Sequence, residues 1–223
     1  MKHWLVLSIL GTVLIAGCGR ARDEELDPET VQKLENAKDI AGSWIGGCVA
    51  NPDRNLEARM IRIHLTFSKE RYTERHYAYN NDDCSGEPTY FLRKTGYFFV
   101  LDPRNQEDPT ALRLVDYKPD HIGLRPNIGT LINELNQGSV CGYSNWVLGE
   151  ERTVSDRLCW GVTAYRRTAV YDVFTLLDDD SRLCLGNTAD PEFNGSRESL
   201  RPKVTGPCYE RNPSQVSVTE FED

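Results

Sequence analysis

Arg62, His64, Arg75 and His76 are the first residues whose types and spacing suggest chemistry. On two adjacent strands, with Arg71 close by, they would form a basic patch able to hold an anionic group through charge-assisted hydrogen bonds. Without such a group the same residues read as a solvated strand face. Asp178, Asp179 and Asp180 offer clustered carboxylates of the kind that bind Ca²⁺. The run lacks the alternating spacing of a calcium loop, however, and reads as a hairpin turn. The chain has no G-x-S-x-G elbow, no H-E-x-x-H pair and no glycine-rich phosphate cradle. The expectation is therefore a protein that is not an enzyme and uses no cofactor and no metal.

Cysteine carries the next chemistry. Of the seven cysteines, Cys18 ends an apolar leader, while Cys48, Cys84, Cys141, Cys159, Cys184 and Cys208 are spread over the rest of the chain. An even set in an exported chain reads as disulfides. Zinc is disfavoured, because no C-x-x-C pair occurs and the spacings are wide. Sequence leaves the connectivity open. Joining each cysteine to its neighbour gives Cys48–Cys84, Cys141–Cys159 and Cys184–Cys208, the arrangement expected if consecutive segments are adjacent antiparallel strands.

These residues need elements to position them, and the dominant period is two. In "MIRIHLTF", Ile61, Ile63, Leu65 and Phe67 take one face and Met60, Arg62, His64 and Thr66 the other, the mark of a half-buried strand. "RYTERHYAY" is its partner through "SKE", and "YNNDDCSGEP" is turn chemistry. "TYFLRKTGYFFVL" is a strand in which Gly96 marks a bulge or close approach. "ALRLVDYK", "VCGYSNWVLG", "RLCWGVTAYR", "TAVYDVFTL" and "SRLCLG" read as further strands, and "TLINELN" fits helix or strand. Many short strands between turn signals imply an all-β sandwich or barrel. A short helix is expected ahead of them, with Asp27 as N-cap and Pro28 at the first helical position.

The leader fixes the expected location. Lys2 precedes "LVLSILGTVLIAG", which is shorter than the roughly 20 apolar residues of a membrane span and reads as a signal peptide. "LIAGC" resembles a bacterial lipobox, which implies acylation of Cys18 and anchoring to a membrane; Gly19 behind it points to the outer membrane. The expected organisation is a signal peptide at residues 1–17, a lipidated tether with a short helix at 18–39, a barrel at 40–211 and a flexible tail at 212–223. The net charge of −8 is spread along the chain and argues for solubility and against nucleic acid as a partner.

"GSW" at 42–44 resembles the lipocalin G-x-W signature, and "VDY" at 115–117 resembles the second lipocalin motif, Thr-Asp-Tyr, with Val115 in place of threonine. Together with Cys48, with Cys84 behind "NNDD", and with Asn136, Cys141 and Gly142 ahead of Trp146, the pattern is similar to that of lipocalin-like lipoproteins of proteobacteria. The resemblance implies a single lipocalin-like antiparallel β-barrel with three disulfides. In it Trp44 behind Gly42 closes one end, and "LRP" at 200–202 supplies Arg201 to pack on that tryptophan. The function expected is a lipid-anchored binding module of the bacterial cell envelope, facing the periplasm or the surface, that holds a small apolar or amphipathic ligand. The alternative is a filled barrel whose loops contact another envelope protein.

Overall fold

The alternation at residues 60–68 is realised as one stave of a closed cylinder. A computed structural model describes residues 28–51, 58–159, 162–163, 168–187 and 192–213; Cys18, the leader, Asp27 and the tail beyond 213 lie outside the described residues. Helix α1 (Pro28–Asn36) is followed by strands β1 (Gly42–Ala50), β2 (Met60–Ser68), β3 (Arg71–Tyr79), β4 (Tyr90–Val100) and β5 (Arg113–Pro126). An insert then carries helix α2 (Gly129–Gln137) and the two-residue strands β6 (Arg152–Thr153), β7 (Leu158–Cys159) and β8 (Val162–Thr163). The chain returns through β9 (Val170–Leu177), β10 (Arg182–Gly186) and β11 (Thr205–Arg211).

Each long strand pairs antiparallel with the next. β11 pairs with β1, and β5 pairs with both β4 and β9, so eight strands close into an up-and-down barrel with no free edge. The three disulfides join neighbouring cysteines as expected: Cys48–Cys84, Cys141–Cys159 and Cys184–Cys208. The first ties β1 to the β3–β4 loop, the second closes the insert, and the third links register partners on β10 and β11. Gly96 sits at an irregularity between β4 and β5, as its place in the strand pattern suggested.

Two apolar clusters fill the ends of the cylinder. At one end Trp44, Phe67, Phe98, Val100, Val115, Phe174 and Leu183 pack against Ile40 and Ala37, which follow α1. Two arginines latch that end by binding carbonyls in the α1–β1 link. Arg113 donates to Asn36 O at 2.6 Å and pairs with Asp39 at 2.5 Å. Arg211 donates to Ala41 O at 3.0 Å and to Asp39 O at 2.9 Å. At the other end, Leu131 and Leu135 of α2, together with Trp146, pack against inward residues of β2–β5, among them Ile61, Tyr90 and Leu124.

The insert departs most from the sequence reading. "TLINELN" is helix, because Leu131 and Leu135 fall on one face at i, i+4 and are both buried. "VCGYSNWVLG" is a single 3-10 turn and a loop rather than a strand. Cys141 there has φ 56°, and the Asn136 side chain clasps the Trp146 backbone, accepting from its N–H at 2.6 Å and donating to its carbonyl at 3.2 Å. The N-x-x-x-x-C-G spacing thus serves a loop clamp. Among its described residues, "RLCWGVTAYR" contributes the β7–β8 pair. The three aspartates at 178–180 form the β9–β10 turn, each with positive φ, and Arg104 grips Asp180 with two hydrogen bonds of 2.6 and 2.8 Å.

Candidate functional site

Strand registers assign every side chain to the wall's outside or its inside. Ile63 is paired with His76, Leu65 with Glu74 and Phe67 with Tyr72, so His76, Glu74 and Tyr72 share the inner face with the apolar set of β2. Glu74 is paired in turn with Lys94, and Tyr117 and Asp172 occupy inward positions on β5 and β9. A belt of charged and phenolic groups therefore lies between the two apolar end clusters. It borders a cavity of about 380 Å³, whose lining also includes Ile63, Leu65, Val170, Leu185 and Tyr209. That volume falls near the low end of the roughly 300–1,000 Å³ typical of small-molecule sites.

The belt's charges are unevenly matched. Glu74 Oε1 accepts from Lys94 Nζ at 3.2 Å and is in direct contact with His76 Nε2. Burial alone would raise the Glu74 carboxyl, but the charges of Lys94 and His76 and their hydrogen bonds overcome it and hold it well below the usual carboxylate range. Asp172 has no such partner. Its Oδ1 accepts from the backbone N–H of Val173 at 2.8 Å and of Gly186 at 3.1 Å. Its Oδ2 accepts no hydrogen bond from the described residues. Burial pushes the Asp172 carboxyl up to about 6, against the pull of those two N–H groups and of Arg201, and Glu74 across the lumen adds to the rise. Tyr117 is 8% exposed, and its hydroxyl is buried with no hydrogen-bonding partner among the described residues. Burial, with Asp172 and Glu74 next, raises that phenol well above its ordinary value. A buried hydroxyl left unsatisfied costs roughly 1–3 kcal/mol.

The residues singled out in the sequence are not gathered in one place. Arg62, His64 and Arg75 do share a face, with His64 opposite Arg75, but it is the outer face. Burial, Arg62 and Arg75, in that order, lower the His64 imidazole. His76 is one residue out of phase and points into the lumen, so the four-residue anion patch does not exist: strand pairing alternates faces, and even and odd positions part. Trp44 does close one end, fully buried, with its indole N–H donating to Ile40 O at 2.9 Å. Gly42 precedes it with φ 122°, a conformation that favours glycine. The arginine over the indole is Arg211, at 4.2 Å from the ring, and not Arg201. Arg201 follows a 3-10 turn on the other side of β10 and binds Asp116 Oδ1 at 2.7 Å, Asp172 O at 2.7 Å and Val115 O at 3.0 Å. It thereby fastens "VDY" to β9, the two segments that carry Tyr117 and Asp172.

Glu74, Lys94 and Asp172 were not singled out from the sequence, and Tyr117 only as the end of "VDY". The signal was present: with Ile63 and Leu65 assigned inward, an antiparallel hairpin through "SKE" turns Glu74 and His76 inward too. Charged residues at inward positions of a barrel strand mark a lumen that is more than a core. Asp172 and Tyr117 had no comparable cue, because the β5–β9 pairing that brings them together spans a long insert. The sequence matches no protein-family model, and no curated protein is significantly similar to it.

Proposed function

We propose that this protein is a lipid-anchored binding module of the bacterial cell envelope whose barrel holds one small amphipathic ligand. The observation that carries the reading is the lumen: a cavity of about 380 Å³ between two apolar stoppers, lined by the buried Asp172, whose Oδ2 meets no donor among the described residues. The lipobox resemblance at Cys18 supplies the anchor, with a tether and α1 between it and the barrel. The barrel's resemblance to lipocalins rests on "GSW", "VDY" and the closed meander. The test is native mass spectrometry of residues 19–223, exported behind a soluble secretory signal so that no acyl chain is attached. A mass deficit of six hydrogens reports the disulfides, and an adduct lost on collisional activation reports the ligand. A second reading, a protein that works through its loops, is favoured by Val147, Leu148 and Leu158, large exposed apolar residues on the insert. An empty lumen in the same spectrum would select it.

A further inference from the structure

We infer that the lumen's ligand is an organic amine, whose protonated nitrogen lies against Asp172 and Tyr117. The inference rests on the binding reading above and names its ligand class. Both cationic side chains of the belt, Lys94 and His76, are engaged by one acceptor, Glu74 Oε1. Among the described residues that line the cavity, both cations are thus already paired with a carboxylate. Arg201 lies behind the wall, with its guanidinium spent on Asp116 and two backbone carbonyls. The carboxylate that meets no cationic side chain within hydrogen-bonding distance is Asp172. Asp172 is 5% exposed, lines the cavity and keeps Oδ2 without a donor among the described residues. A buried carboxylate is costly unless it meets a cation, and an ammonium group supplies both the charge and the missing N–H donors.

The surroundings fit the same head group. The Tyr117 ring lines the cavity beside Asp172. Tyr72 and Phe67 make edge or tilted contacts with Tyr117 at 5.1 and 6.4 Å, forming an aromatic wall of the kind that favours cations. Ile63, Leu65, Val170 and Leu185 line the rest of the cavity and match an alkyl or aryl body. The carboxylate is also fixed in place. A Cβ on Gly186 would fall 2.2 Å from Asp172 Oδ1, so glycine is required where the backbone N–H of residue 186 approaches the carboxylate. An aspartate held by a glycine N–H, with its second oxygen facing a cavity, has the form of a prepared counter-ion.

The experiment compares three probes of one chain length, decylamine, decanoate and decanol, by calorimetric titration of ligand-free residues 19–223 at pH 7.5. The expected result is that decylamine binds about tenfold or more tighter than either competitor, the gain typical of one hydrogen-bonded charge pair. Asp172→Asn should remove that preference while leaving decanol binding within about twofold, since it deletes the charge and little else. Decanoate or decanol binding as tightly as the amine would overturn the amine assignment and leave the binding reading standing. Unchanged amine affinity in Asp172→Asn would overturn it in the same way. No binding by any probe, together with no adduct in the native spectrum, would overturn both. The comparison of probes on the unaltered protein stands even if the variant does not fold.

Discussion

Asp172→Asn should stabilise the ligand-free protein at neutral pH and do nothing for it in acid. The Asp172 carboxyl titrates at about 6 in the fold, against about 3.9 for an aspartate in an unfolded chain. Because the folded value is raised, the protonated form is the one the fold prefers. Its contribution is fully present below about pH 4 and is lost as pH rises to about 6. Roughly two pK units at 1.36 kcal/mol each make the loss about 3 kcal/mol. Asparagine keeps an oxygen for the Val173 and Gly186 N–H groups and carries no charge to bury. The variant should therefore match the parent at pH 3.5 and exceed it by up to about 3 kcal/mol at pH 8, or roughly 6–12 °C in Tm for a chain of this size. Urea unfolding of both proteins across that range, with disulfides intact and lumen empty, measures the difference. Taking the difference cancels Glu74, whose lowered carboxyl acts in the opposite sense, losing its contribution as pH falls. A difference that is flat with pH would refute the reasoning, as would a variant less stable at pH 8.

Other perturbations separate the barrel from its attachments. Arg211→Ala removes hydrogen bonds to Asp39 O, Ala41 O and Asp180 O and the cation over Trp44; a loss of about 3 kcal/mol in denaturant unfolding is expected, whereas Arg201→Ala should leave Trp44 fluorescence unchanged. Replacing Cys141 and Cys159 by alanine should open the insert to limited proteolysis while the barrel resists, since this bridge closes the insert alone; equal cleavage of the parent would count against that. Replacing Cys48 and Cys84 should lower barrel stability by roughly 2–4 kcal/mol, read from the urea midpoint. Cys18→Ser should abolish incorporation of radiolabelled palmitate, and retained label would remove the anchor from the reading.

Much of the barrel was legible in the chain because strand alternation is local physics. The inward face of β2, the aspartate turn and the role of Trp44 follow from residues within a few positions of one another. β11 was not legible. Its segment contains Gly206 and Pro207, both poor strand formers, and it joins the sheet only because β1 and β10 flank it and Cys208 is bridged to Cys184. The identity of the latching arginine went the same way: the sequence pattern pointed to Arg201, and only the β1–β11 register, with Trp44 opposite Arg211, decides.

The sequence by itself determined an all-β class of fold, the expected export and anchor, and an even set of cysteines fit for disulfides. It determined these through strand period, leader and cysteine count, which are read along the chain without knowing which strands meet. Only the tertiary structure brought Lys94 of β4 onto Glu74 and His76 inside the barrel. It also decided that Asp172 and Tyr117, brought together by the β5–β9 pairing, line one cavity in which the Asp172 carboxylate meets no cationic side chain. The physical reason is that a barrel's interior chemistry is set by closure. Which residues share the lumen depends on registers between strands far apart in the chain, and a shift of one residue would send the same side chains to solvent.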